Sequence, residues 1–112
     1  MAPRWAPERG EIVWLRFSPQ AGREQAGHRP ALVLSPAPYN RATGLMICCP
    51  LTSQQKGYPF EVALHDAGET PSVALADHVR SVDWCARGAK LKGRASAEAI
   101  DEVLGKLTVL LR

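Results

Sequence analysis

A chain of 112 residues is too short to give two halves a usable core each, so one domain over 1–112 is expected. Hydrophobic residues make up 46% and charged residues 22%, a globular composition that excludes a disordered tail, and the net charge of +3 permits a polyanionic partner. The first ten residues carry no apolar signal region. No apolar run approaches the roughly 20 residues of a spanning helix, so a cytoplasmic protein with no membrane role is expected.

In chain order, Glu11 to Phe17 alternates Ile12, Trp14 and Arg16 with Val13, Leu15 and Phe17, which predicts a strand with both faces partly covered. Ser18 to His28 holds Pro19, Gly22 and Gly27 and reads as a long, polar, functional loop. Ala31 to Leu34 and Leu45 to Cys49 are short buried strands. The interval between them, with Pro36, Pro38, Asn40 and the Thr43-Gly44 turn, reads as non-helical. After a polar stretch, Phe60 to Leu64, Ser72 to Ala76 and Arg80 to Trp84 give three more strands. Finally Ile100, Val103, Leu104, Leu107, Leu110 and Leu111 fall on one helical stripe, with Ser96 placed to cap it and Glu98 favourable against its dipole. The pattern predicts a mainly β fold, a small curved barrel-like sheet closed by a C-terminal α-helix.

Three cysteines, Cys48, Cys49 and Cys85, are odd in number and two are adjacent, which excludes a disulfide framework or a CxxC knuckle. His65 and His78 lack partners at ligand spacing, so no metal and no cofactor are expected. Arg80, Arg87, Lys90, Lys92 and Arg94 face the single acid Asp83, and Glu98, Asp101 and Glu102 follow. One positive region with a negative neighbour is expected.

The run Glu24-Gln25-Ala26-Gly27-His28-Arg29-Pro30-Ala31, followed by Val33-Leu34-Ser35-Pro36, resembles the signature of MazF/PemK toxins, ribonucleases of bacterial toxin–antitoxin pairs. Tyr39-Asn40, Thr43-Gly44, Cys49-Pro50-Leu51-Thr52, Lys56-Gly57-Tyr58-Pro59-Phe60-Glu61-Val62, Ala74-Leu75-Ala76-Asp77 and Ala86-Arg87-Gly88-Ala89 resemble the family in the same order, so the likeness covers nearly the whole chain. It implies an SH3-like barrel of the CcdB/PemK type with a C-terminal helix. It also implies a homodimer that binds single-stranded RNA in a groove between subunits and is silenced by an acidic, MazE-like antitoxin. Ala37-Pro38, the His65 to Pro71 connector and Trp84-Cys85 depart from the family pattern.

Metal-free RNA cleavage uses the ribose 2′-hydroxyl as nucleophile, and needs a base, an acid for the leaving 5′-oxygen and donors for the phosphorane. The resemblance implies Arg29 and Thr52 as catalytic residues. An arginine fork suits two phosphate oxygens, and because it stays protonated at neutral pH it serves as a transition-state donor rather than a base. Glu24 is the only carboxylate of the motif loop and the natural general base, and His28 belongs to the residue type suited to acid or base work. Gln25, Lys56 and Asp77 are candidate RNA-positioning groups, and Arg80, Arg87 and Lys90 candidate phosphate contacts. The structural alternatives are an Arg29 that pairs with Glu24 or Asp77 to hold the loop, a Thr52 engaged in turn chemistry, and a solvated basic face. Trp5, Trp14 and Trp84 read as core or dimer anchors. The rival functions are a protein-gripping toxin similar to the gyrase poison CcdB and an inactive homologue that retains RNA or antitoxin binding.

Overall fold

The computed structural model describes residues 5–17, 27–64 and 72–112. Among these residues seven strands, β1 (Glu11–Phe17), β2 (Gly27–Val33), β3 (Leu45–Thr52), β4 (Glu61–Leu64), β5 (Ser72–Leu75), β6 (Arg80–Asp83) and β7 (Lys90–Arg94), join helices α1 (Ala37–Thr43) and α2 (Ala97–Leu111), with a 3-10 turn at Ala76–His78. Every pairing is antiparallel. β7, β1, β2 and β3 lie side by side, and β3 serves two further partners. Its first half pairs β6 up to Cys48–Arg80, and its end pairs β5 from Leu51–Ala74, with β4 beyond. Pro50 sits between those two ladders, where β3 is not paired on that edge and a missing N–H costs nothing.

The alternation of side chains along β1, β2 and β3 splits the apolar residues between two faces. On one face Ile12, Leu32, Cys49, Leu51, Val62, Leu64 and Ala74 pack against Val103 and Leu107 of α2. On the other, Val13, Leu15, Ala31, Val33, Met46, Cys48 and Val82 pack against Trp84 and the N-terminal segment around Ala6. Both faces are covered, as the sequence of β1 predicts. The edge strands β6 and β7 are joined by the short turn 84–89, in which Arg87 N–H donates to Asp83 C=O at 3.1 Å and Ala89 N–H to Trp84 C=O at 3.0 Å. The same turn accepts from β1, Arg16 N–H to Arg87 C=O at 2.8 Å. So compact a turn does not bridge four strand gaps of about 4.8 Å unless the sheet curls, and this is the curled, half-barrel shape.

Three expectations require correction. The interval read as non-helical contains α1, because prolines are tolerated in a first turn: Pro36 is the N-cap and Pro38 stands at the start. With no side-chain cap of its own, α1 takes one from far upstream, the Glu8 carboxylate accepting from Ala37 N–H at 2.9 Å. Gly44, at φ 75°, closes the helix in the left-handed region. β2 begins at Gly27 rather than Ala31, so the end of the expected loop, Gly27 and His28, is strand, and Arg29 stands within β2 rather than before it. No strand is expected over 90–94, yet β7 forms there: exposed Leu91 is its one large apolar side chain, and the charges around it hid its strand character.

Asn40 is the buried polar hub of the second core, 0% exposed. Its amide donates to Pro7 C=O at 2.8 Å and Ser35 C=O at 2.9 Å, and its side-chain oxygen accepts from the Ser35 hydroxyl at 2.6 Å. Its main-chain carbonyl accepts from the Trp84 indole at 2.9 Å. Trp5 stands edge-on to Trp84 with centroids 6.1 Å apart, so both act as core anchors.

Candidate functional site

Arg29 is set by β2 directly opposite Leu15 of β1, which directs it to the Leu15–Cys48 face, at the margin of the second core. The β2–β3 ladder ends at Ala31–Pro50. Continuing that register by two residues sets Arg29 opposite Thr52. Pro30, lacking an N–H, stands between Arg29 and the last ladder pair. Thr52 lies in phase with Met46 and Cys48, so it faces the same side, and it is half-buried. Its hydroxyl oxygen accepts from Gln54 N–H at 3.2 Å, which fixes the rotamer while leaving the hydroxyl proton to donate elsewhere.

Arg80 joins this face from the other side of β3, opposite Cys48. Burial pushes the Cys48 thiol up to about 11, against the opposing pull of the Arg80 and Arg87 guanidinium groups, so both arginines stand within electrostatic reach of it. Cys49, on the opposite face, is pushed up to about 12 by burial and by its neighbour Cys48. Arg29, Thr52, Arg80 and Arg87 are thus gathered around an apolar floor. Such a floor strengthens a charge-assisted hydrogen bond to an anion above it.

The connection after Thr52 is a built loop. The Glu61 carboxylate accepts from Lys56 N–H at 3.1 Å and from Gly57 N–H at 2.9 Å, and Gly57 takes φ 82°, a conformation suited to glycine. This presents Lys56 at the surface. Asp77 is exposed in the 3-10 turn and lies 3.9 Å from His78. Among the described residues no ion pair joins Asp77 to Arg29, which leaves the pairing with Glu24, outside those residues, as the remaining structural alternative. Glu24 and Gln25 lie outside the described residues, and the backbone of His28 pairs with Arg16.

The basic stretch is not one region. Arg80 and Arg87 lie near Cys48, whereas Lys90 pairs with Trp14 and so belongs to the other face. Arg94 is engaged by Glu11 at 3.4 Å. A linear charge run cannot show this division, because β6 and β7 sit at opposite edges of the sheet. Sequence reasoning passed over Arg16, the register partner of His28. The signal was present in the alternation of β1, where Arg16 continues the Ile12–Trp14 side. Among the described residues no cluster of three or more His, Cys, Asp or Glu could hold a metal ion. What the arrangement offers is an array of cationic donors and a hydroxyl beside an apolar floor, suited to a phosphodiester.

Comparison with known proteins gives the same reading. Residues 8–111 match the model of the PemK-like, MazF-like toxin of type II toxin-antitoxin systems. The chain is 50% identical over 111 residues to the endoribonuclease toxin MazF of Escherichia coli K12, covering 99% of both, and 40% identical over 108 residues to the endoribonuclease PemK of Escherichia coli, covering 93% of this chain and 81% of that one. It is similar to the crystal structure of the MazE–MazF complex from Deinococcus radiodurans, with a TM-score of 0.87, 56% identity and 96% of each chain covered.

Proposed function

Because the chain belongs to the PemK-like, MazF-like toxin family of type II toxin-antitoxin systems, we propose that it is an endoribonuclease toxin, folded as one domain, that cuts single-stranded mRNA without a metal ion. The observation that supports this is the register of β2 and β3: continued two residues beyond its last pair, Ala31–Pro50, it puts Arg29 and Thr52 in line on one face. In the reaction the ribose 2′-oxygen forms a bond to phosphorus and the bond from phosphorus to the 5′-oxygen breaks. The products end in a 2′,3′-cyclic phosphate and a 5′-hydroxyl. Arg29 donates to the non-bridging oxygens as charge accumulates there, and the Thr52 hydroxyl donates to the same phosphoryl group. The two proton transfers fall to Glu24 and His28, the only carboxylate and the only imidazole in the segment between β1 and Arg29. Gln25, Lys56, Asp77, Arg80, Arg87 and Lys90 position the strand.

The relatives from Deinococcus radiodurans include complexes of MazE with MazF, and an acidic antitoxin segment is the corresponding partner proposed for this chain. A homodimer is supported by apolar side chains left at the surface: Leu45 and Ile47 on the helix-bearing side of β3, and Val109, Leu110 and Leu111 at the end of α2. No described helix is long and apolar enough to cross a membrane, and action on cytoplasmic RNA accords with that.

The test is incubation of wild type, Arg29→Ala and Thr52→Ala with long single-stranded RNA in excess EDTA, followed by mapping of fragment ends. The expected result is cutting at a short recurring sequence by wild type, with loss of at least a hundredfold for either variant. Intact RNA with folded wild type would favour the protein-gripping or inactive reading, and equal cutting by all three proteins would remove the site from these residues.

A further inference from the structure

The described part of the molecule holds a second set of cations that the catalytic face does not use. Arg16 ends the Ile12–Trp14 side of β1, exposed, opposite His28. Next along that side, Trp14 pairs with Lys90 across the β1–β7 ladder. A β-bulge in β7 inserts Lys92 between Leu91 and Gly93, and its ammonium is held over the Trp14 ring, 5.3 Å from the centroid. Arg16, Lys90 and Lys92 therefore form a strip along two adjacent strands, about 3.3 Å per residue. Arg87 connects it to the catalytic face. Its guanidinium donates to Arg16 C=O at 3.5 Å, and it acts on Cys48 together with Arg80. Gly88, at φ 62°, leaves the space beside it to Arg16, whose guanidinium nitrogen lies 3.7 Å from where a Cβ would stand.

Among the described residues the ion pairs of Asp77 with His78, Glu11 with Arg94 and Glu102 with Lys106 involve none of Arg16, Arg87 and Lys90. Arg16, Arg87 and Lys90 have no carboxylate partner there, although the turn brings two of them together. Like charges fixed side by side raise the energy of the free protein and are compensated when a polyanion lies across them. A path running Arg80, Arg87, Arg16, Lys90 and Lys92 turns around the end of β1 from the Arg29 face to the Trp14 face.

We propose that Arg16, Lys90 and Lys92 form a track for the RNA strand leaving the cleavage site, binding its phosphates without reading its bases. This rests on the ribonuclease reading for its substrate. Arg16 and Lys92 are positioning residues: they hold the flanking strand and take no part in bond breaking. Trp14 fixes the Lys92 ammonium before RNA arrives, which lowers the ordering cost of the contact. RNA is favoured over the acidic antitoxin as occupant because the strip is continuous with Arg80 and Arg87 on the catalytic face and ends opposite His28.

The test measures binding separately from cutting. A 20-nucleotide single-stranded DNA, which lacks the 2′-hydroxyl and is not cleaved, is titrated against wild type, Arg16→Ala/Lys92→Ala and Arg16→Lys across a salt series. Loss of two phosphate contacts is expected to flatten the slope of log Kd against log salt by about 1.4, the single-strand value of about 0.7 per contact. Arg16→Lys, which keeps the charge, should retain the wild-type slope. With long RNA the double variant should raise KM far more than it lowers kcat, and Arg112→Ala, a charge removed from the end of α2, controls for net charge. An unchanged slope in the double variant overturns the proposal. So does a loss confined to binding of an acidic peptide, which would assign the strip to the antitoxin. Failure of wild type to cut RNA in EDTA while the slope still falls would defeat the ribonuclease reading and leave the nucleic-acid track standing.

Discussion

Replacing Asn40 by Leu tests the buried hub that supports the catalytic face. Leucine has nearly the shape of asparagine, so the change removes hydrogen bonding with little change in packing volume. Two carbonyls, those of Pro7 and Ser35, lose the donors that now lie 2.8 and 2.9 Å away, and the Ser35 hydroxyl loses its acceptor. Ile47 N–H still donates to that hydroxyl at 2.8 Å, and the main-chain bond from Trp84 to Asn40 C=O survives. A buried group left without its partner costs about 1–3 kcal/mol, so two carbonyls lose about 2–6 kcal/mol. Burial of the leucine side chain returns about 1–2 kcal/mol of that. The net expectation is a loss of about 3 kcal/mol, on the order of 12 °C in Tm for a domain of this size. Urea unfolding of wild type and Asn40→Leu, followed by far-UV circular dichroism, measures it. Ser35→Ala leaves the Asn40 amide bonds in place but takes the donor from the Asn40 side-chain oxygen and the acceptor from Ile47 N–H, and should cost about 2–4 kcal/mol. A loss below about 1 kcal/mol in Asn40→Leu, with an unchanged m value, would refute the claim that these carbonyls depend on Asn40.

Glu8 is held below the ordinary carboxylate range chiefly by the Ala37 N–H, then by the Arg9 N–H. A lowered folded pKa means that its contribution to stability is complete above the unfolded carboxylate value of about 4.3 and is lost as pH falls through the folded value. Glu8→Gln should therefore be less stable than wild type at pH 7, with the difference closing below about pH 4 in denaturant titrations, and a difference independent of pH would contradict the capping role. Alkylation of the native protein at pH 8 should modify Cys85, which is exposed, far faster than Cys48 and Cys49, whose buried thiols are pushed up to about 11 and about 12. Mass spectrometry should show one adduct before unfolding and three after it, and rapid triple labelling of folded protein would contradict the packing of β3.

The strands were legible wherever apolar periodicity was strong. β1 and β3 declared themselves through alternating or continuous branched residues, and α2 through its stripe and the Ser96 cap, whose hydroxyl accepts from Ala99 N–H at 3.1 Å. β7 was hidden because a polar edge strand buries little, and α1 because its cap comes from Glu8, distant in sequence. Local pattern reports local energetics, and neither feature is locally determined.

The sequence by itself determined the kind of residues available for chemistry. The motif around His28-Arg29 and the run Pro50-Leu51-Thr52 named the groups that can hold a phosphodiester, and the order of motifs along the chain gave the family. Which of those groups share a face was decided by tertiary structure. Strand register directs Arg29, Thr52 and Arg80 to one side and Arg16, Lys90 and Trp14 to the other, since successive side chains in a strand point opposite ways and a shift of one residue would exchange the two sets. Charge counted along the chain cannot carry that information. It resides in hydrogen bonds between strands that are distant in sequence.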